Sequence, residues 1–249
     1  MSAVAVIPAR YGATRFPGKL LADLCGKPLV QHAWERAREL ASVSRVVIAT
    51  DDERISMAAR NFGGEVVLTR SDHPSGSDRV AEVARGLSAE LIVNLQGDEP
   101  LLDTKAVDEL VRTMAREPGI PMGTLAHPID EERELDSPHV VKVVIDRSGC
   151  ALYFSRAAIP FLRRTGEWTP LRHVGLYIYR RDFLLELTGL PPSPLELTEG
   201  LEQLRALEHG HRIKVLVTPT TSFGVDTPED LERVRARLEG ADSQRRFRG

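Results

Sequence analysis

Cysteine is nearly absent from this chain: Cys25 and Cys150 are the only two in 249 residues, far apart and in no Cys-x-x-Cys arrangement. That excludes a disulfide framework and a thiolate metal pair, and two lone thiols read most simply as belonging to a reducing cytoplasm. Long apolar runs are missing as well. None approaches the roughly 20 residues of a membrane span, and the opening Met1–Arg10 has no charged n-region and is broken by Pro8, so neither a signal peptide nor a membrane partner is expected. Excess charge is missing: a formal net charge of −3 gives no basic face with which a general nucleic-acid binder displaces counterions. No repeat or low-complexity linker interrupts the chain, and 42% hydrophobic with 28% charged residues excludes disordered and fibrous classes. The two commonest nucleotide fingerprints are absent too. Neither Gly-x-Gly-x-x-Gly nor Gly-x-x-x-x-Gly-Lys-Ser/Thr follows the first strand-like run.

What is present is an alternation of short β-branched runs with helical patterns, the mark of βαβ units on a largely parallel sheet. Val4–Pro8 reads as a strand buried on both faces. A helix is predicted from Pro28 to Leu40, where Leu29, Val30, Ala33, Trp34, Ala37 and Leu40 recur at helical spacing and Pro28 suits the first turn. Val46–Thr50, Glu65–Thr69, Leu91–Leu95 and Gly123–Ala126 follow as strands. Between them helices are predicted over Glu53–Phe62, from a cap at Ser77 to Leu87, and over Thr104–Arg116. The middle reads differently: Val140–Asp146, Ala151–Ser155 and His173–Tyr179 are strand-like, and the turn Asp146-Arg147-Ser148-Gly149 joins the first two, predicting antiparallel pairing. A helix over Leu195–His209, a strand over Ile213–Thr218 and a helix from Pro228 close the fold. The length fits one large α/β domain over residues 1–240, with an antiparallel lobe at about 127–190 and a flexible tail at 241–249.

Ligands of open α/β sheets sit beyond the carboxyl ends of the strands, so the polar residues there carry the chemistry. After the first strand comes Pro8-Ala9-Arg10-Tyr11-Gly12-Ala13-Thr14-Arg15-Phe16-Pro17-Gly18-Lys19, with three cations and no acidic residue before Asp23. Two glycines allow close backbone approach, so N–H groups and cations can surround phosphate oxygens. The phrase Gly12 to Lys19 resembles the sugar nucleotidyltransferase signature Gly-x-Thr-Arg-x-Pro-x-Lys. With Ile7-Pro8-Ala9-Arg10-Tyr11 before it, it is similar to the 3-deoxy-D-manno-octulosonate (KDO) cytidylyltransferase family. Ala49-Thr50-Asp51, Thr69 through Arg79, Val93 through Pro100 and Gly224 through Leu231 agree with that family. So do Ala151 through Arg156 and His173 through Tyr177.

The resemblance implies a nucleotidyltransferase-type three-layer fold and the activation of KDO by CTP to CMP-KDO and pyrophosphate, for lipopolysaccharide biosynthesis. It implies Mg2+ held by Asp98 and Asp226, the triphosphate held by Arg10, Arg15 and Lys19, and catalysis by Arg10, Lys19, Asp98 and Asp226. Ala9, Arg70, Ser75, Gly76, Ser77 and Asp98 complete the implied nucleotide site. Ser77 stands where the family often carries Thr. For the sugar acid the resemblance implies Gln96, Arg156, His173, Tyr177, Glu202 and Gln203, and it implies a homodimer contacting through the antiparallel region. No covalent nucleophile is evident, so a single displacement is expected. Metal coordination of the attacking hydroxyl can replace a general base, with His173 the alternative base. An 8-amino KDO analogue, a sialic acid and a catalytically silent nucleotide-binding module remain the competing readings.

Overall fold

A computed structural model describes residues 2–12, 15–163, 168–220 and 223–246. They gather into two compact units. One comprises Val4–Ser88, Asn94–Thr104 and Ser222–Gly249; the other comprises Met1–Ala3, Ala89–Val93 and Lys105–Thr221.

In the first unit, β1 (Ala3–Ala9) is buried along almost its whole length, and burying Val4, Val6 and Ile7 contributes about 1.5–3 kcal/mol each. A short 3-10 turn, Lys19–Leu21, precedes a hairpin of two-residue strands, β2 (Asp23–Leu24) and β3 (Lys27–Pro28). Its turn residues Cys25 and Gly26 both have positive φ, 52° and 81°, as a type I′ turn requires. Strands of two residues show no period, so the sequence pattern does not reveal them. Helix α1 (Leu29–Arg38) starts one residue later than expected, with Pro28 as its cap. Then come β4 (Arg45–Thr50), α2 (Glu53–Asn61), β5 (Glu65–Leu68) and α3 (Gly76–Arg85). Strand β1 pairs in parallel with β4, and β4 with β5.

The second unit contains Leu91–Val93 of β6 (Leu91–Asn94), all but the first residue of α4 (Thr104–Arg116), β7 (Met122–Pro128), α5 (Glu132–Asp136), β8 (Lys142–Ile145) and β9 (Ala151–Ser155). It continues with β10 (Leu171–Arg180), α6 (Arg181–Leu187), α7 (Pro194–Glu199), α8 (Gln203–Glu208) and β11 (Ile213–Val217). Strand β7 runs parallel to β11 and antiparallel to β10. Strands β8 and β9 form an antiparallel hairpin, and β8 also pairs with β10. The hairpin turns where Asp146 Oδ1 accepts the N–H groups of Ser148 and Cys150, at 2.8 and 2.9 Å.

One expected helix is corrected. Residues 195–209 form two helices because Gly200 takes a left-handed conformation (φ 63°, ψ 44°) and Leu201 N–H closes back on Glu196 O at 3.1 Å. Glycine is the residue that ends helices this way. The last helix, α9 (Pro228–Arg246), belongs to the first unit and enters the segment read as a tail. Phe247–Gly249 lie outside the described residues. The architecture is the expected α/β class, a mostly parallel central sheet with a small separate antiparallel pair, β2 with β3. Among the described residues, no helix is long and apolar enough to cross a membrane.

Candidate active site

The loop after β1 closes on itself. Gly18 N–H donates to Tyr11 O at 3.1 Å, and Lys19 N–H to Phe16 O at 3.2 Å. Gly18 has φ +72°, and a Cβ there would lie 3.0 Å from the Tyr11 ring, so both conformation and space call for glycine. The Tyr11 ring in turn lies under the Arg54 guanidinium, 3.3 Å from its centroid, a cation–π contact that anchors the loop to α2. Arg10, just past Ala9 at the end of β1, is exposed. Ala13 and Thr14 of the expected signature lie outside the described residues.

Lys19 gathers what the sequence separates by more than two hundred residues. Its Nζ lies 2.5 Å from Asp98 Oδ2 and 3.1 Å from Asp226 Oδ1, and donates to Val225 O at 3.0 Å. Arg15 reaches the other oxygen of Asp226 at 2.9 Å. Burial alone would lower the Lys19 pKa, but the nearby Asp98 and Asp226 carboxylates outweigh it and hold the ammonium above its ordinary value. The elements explain the convergence. Leu95 N–H bonds to Val6 O at 3.1 Å, which sets the run after β6 beside β1, and Val225 N–H bonds to Asp98 O at 2.9 Å. Asp226 then enters α9, whose start is held by Thr227 and Asp230: Asp230 N–H donates to Thr227 Oγ1, and Asp230 Oδ2 accepts Thr227 N–H. Asp226 is therefore not needed as the cap. Gln96 lies in this same unit, its Nε2 donating to Asn94 Oδ1 at 3.5 Å.

Helix α3 starts two residues before the position that the sequence suggests. Ser75, not Ser77, is the cap: its backbone is extended (φ −139°, ψ 169°), and its Oγ accepts Asp78 N–H at 3.2 Å while donating to Asp78 Oδ2 at 2.7 Å. A cap must be non-helical, and Ser77 is already in the first turn and buried. Gly76 packs against Pro8, where an added Cβ would sit 3.5 Å from Pro8 Cγ, so the free N–H groups of α3 begin beside the end of β1. Arg70 is exposed and pairs with Asp72 at 3.2 Å. Two residues not singled out from sequence hold its loop. Buried Arg79 bonds to Thr69 Oγ1 and Arg70 O and pairs with Asp51 at 3.1 Å, and Glu82 accepts Arg70 N–H at 3.1 Å and contacts His73. Their only signal in the sequence is charge at i, i+3 on a helix that carries Asp78 and Arg85 as well.

Five of the six residues expected to read the sugar lie in the second unit and form one neighbourhood. On β9 and β10, Phe154, His173, Tyr177 and Tyr179 make a row of rings with successive centroids 5.0, 5.4 and 5.8 Å apart. Thr124 Oγ1 donates its one proton to Leu176 O at 2.6 Å, so His173 Nε2, at 3.0 Å from the same oxygen, is the donor of that pair. Burial lowers the His173 pKa to about 3 and raises that of Tyr177, with Tyr179 and the Glu202 charge adding to the latter. Arg156 is clamped by backbone: Nε to Glu199 O at 2.8 Å, Nη1 to Pro138 O at 2.9 Å, Nη2 to Gly200 O at 3.4 Å. Gln203 is 3% exposed, and its Nε2 has no partner among the described residues.

Comparison with known proteins narrows the class. The cytidylyltransferase family profile matches residues 4–213. The chain is 52% identical to the 3-deoxy-manno-octulosonate cytidylyltransferase of Geobacter sulfurreducens, over 96% of this chain and all of that relative. To the protein of the same name from Solibacter usitatus it is 56% identical, over 92% and 91%. A solved structure of CMP:2-keto-3-deoxy-manno-octonic acid synthetase complexed with CTP matches with TM-score 0.93 and 45% identity, over 97% of this chain and all of that one. The 4-diphosphocytidyl-2C-methyl-D-erythritol synthase of Anaerococcus prevotii, at TM-score 0.63 and 11% identity, shares the fold alone. Fold, cation loop and converging carboxylates thus define a nucleotidyltransferase of the cytidylyltransferase class. Within that class, the chain belongs to the 3-deoxy-manno-octulosonate cytidylyltransferase family.

Proposed function

We propose that this chain joins KDO to CTP, giving CMP-KDO and pyrophosphate, the activated sugar acid of lipopolysaccharide biosynthesis. The observation that carries the reading is Lys19, whose ammonium meets Asp98 and Asp226 at the foot of the Arg10–Lys19 loop. Arg10 and Arg15 attract and orient the triphosphate, the N–H groups at Ser75–Ser77 and the Arg70 loop take the nucleoside side, and Lys19 offsets negative charge on the departing pyrophosphate. The anomeric hydroxyl of KDO attacks the α-phosphorus, a P–O bond forms as the bond to pyrophosphate breaks, and no enzyme-bound intermediate is required.

The donor set fits Mg2+. Asp98 and Asp226 bring two hard carboxylate oxygens to the same ammonium, Lys19 Nζ, and oxygen ligands from one or two carboxylates beside phosphate oxygens and water are what Mg2+ takes. When bound, Mg2+ supplies positive charge to the triphosphate and acidifies a coordinated hydroxyl. His173 is a poor general base, because the burial that keeps it neutral also makes proton uptake unfavourable. In the second unit Arg156 is suited to the sugar carboxylate, and His173, Tyr177, Glu202 and Gln203 to its hydroxyls; in the first unit Gln96, two residues before Asp98, is suited to a hydroxyl as well. We read the working form as a homodimer joined through the antiparallel region.

The test is pyrophosphate release from a panel of the four nucleoside triphosphates crossed with KDO, its 8-amino analogue and a sialic acid. Turnover with CTP and KDO above every other pair is the expected outcome. A higher kcat/KM with another sugar acid or nucleotide overturns the assignment of that substrate.

A further inference from the structure

We propose that Glu199 is a positioning residue for the sugar acid: it locks Arg156 to the α7–α8 junction from which Gln203 projects, so that one carboxylate sets the spacing of two sugar-reading side chains. This rests on the assignment of Arg156 and Gln203 to KDO. Glu199 accepts from Ser155 Oγ at 2.6 Å through Oε1 and from Arg156 N–H at 2.9 Å through Oε2, and its own carbonyl accepts Arg156 Nε–H at 2.8 Å. Side chain and main chain of one residue therefore hold both ends of Arg156. Lys142, fully buried, donates to Arg156 O at 2.5 Å and to the carbonyls of Ser137 and Val140.

Two features point past simple stapling. Glu199 is the last residue of α7, where the exposed carbonyls of a helix disfavour an anion, so the placement serves something other than the helix. Four residues on, Gln203 keeps a buried Nε2 without a partner among the described residues, a donor whose desolvation is left uncompensated until a ligand accepts from it. Arg156 has given three N–H groups to backbone carbonyls, which leaves one on each Nη for a carboxylate. A guanidinium held this way has little side-chain freedom left to lose on binding.

The experiment compares Glu199→Ala, Glu199→Gln and the control Glu208→Ala, which removes a carboxylate that accepts Leu195 N–H on the same helix pair. Arg156→Ala and the Glu199→Ala, Arg156→Ala double variant complete the set. Glu199→Ala is expected to raise the KM for KDO about tenfold with the KM for CTP within about twofold, Glu199→Gln to fall between, and Glu208→Ala to move neither. The double variant should be no worse than Arg156→Ala alone, because Glu199 acts through Arg156. If Glu199→Ala does not fold, Glu199→Gln decides by the same split. An unchanged KDO KM in a Glu199 variant while Arg156→Ala raises it overturns this proposal alone, as does an equal rise in both KM values. An Arg156→Ala enzyme with unchanged KDO KM overturns the sugar assignment itself and this proposal with it.

Discussion

Asp98 and Asp226 share one ammonium but not one environment. The Asp98 side chain is 25% exposed and the Asp226 side chain 51%, and this decides how their replacements differ. Asp98→Asn removes the nearer charge from a Lys19 that is only 13% exposed, and a lost hydrogen bond between charged groups costs about 1–3 kcal/mol. Asp226→Asn should leave the melting temperature nearly unchanged, because Thr227 and Asp230 still hold the start of α9. Both single variants are expected to lose most of their turnover. The double variant should be little worse than the weaker single one, as residues acting as a unit are non-additive. Mg2+-dependent pyrophosphate release and thermal unfolding of the three variants check this; normal turnover with a much lower melting point in Asp226→Asn would leave that residue a structural role only. His173 carries a pH signature. Its pKa falls from 6.5 to about 3 on folding, so below pH 6.5 the unfolded chain binds a proton that the native chain refuses, and stability falls as pH drops through that window. Between pH 7 and 5 this amounts to about 2 kcal/mol. In His173→Gln that part of the loss should vanish, as measured by urea unfolding at the two pH values.

Elements whose cause is local were legible in the sequence, and those set by a single backbone angle or a distant partner were not. The β-branched runs became β4, β5, β6 and β11 within a residue or two, and Thr104–Arg116 was found at its true ends, because burial on both faces or on one stripe leaves its period in the residues. Gly200 leaves no mark in the pattern, because Glu199-Gly200-Leu201 interrupts no apolar period, although its left-handed angle splits the helix. Arg79 and Glu82 were passed over because their partners, Asp51, Thr69 and the Arg70 backbone, belong to other segments. The meeting of Asp98 with Asp226 was legible only through the family resemblance, since two aspartates so far apart carry no joint pattern. The α3 cap is a case where two nearby serines compete and geometry chooses. Ser75→Ala should cost about 0.5–2 kcal/mol of stability, and Ser77→Ala, which removes no cap bond, should cost less. Equal losses in chemical denaturation would return the cap to Ser77.

At the scale of the molecule, exposed apolar surface is distributed unevenly. Of the large hydrophobic side chains exposed among the described residues, only Met57 and Leu68 belong to the first unit; Leu152, Phe161, Leu162, Trp168, Leu195, Leu197 and Val217 belong to the second. Phe161 is 89% exposed and Leu152 63%, far more than a single solvated side chain needs. Leu152 lies on β9, which pairs only with β8 and so offers an open edge among the described residues. Exposed apolar side chains and an unpaired strand edge are features that a contact between copies can cover. We therefore expect a mass of twice the 27.6 kDa chain by light scattering at micromolar concentration. A two-fold contact uses the same patch on both partners, so each substitution within it acts twice. Phe161→Asp and Leu152→Asp should each shift the mass toward that of one chain, while Met57→Asp, in the other unit, should not. Circular dichroism of the variants keeps dissociation separate from unfolding. A wild-type chain that is monomeric at these concentrations, or a folded pair of Asp variants that stays dimeric, removes the antiparallel region as the contact surface.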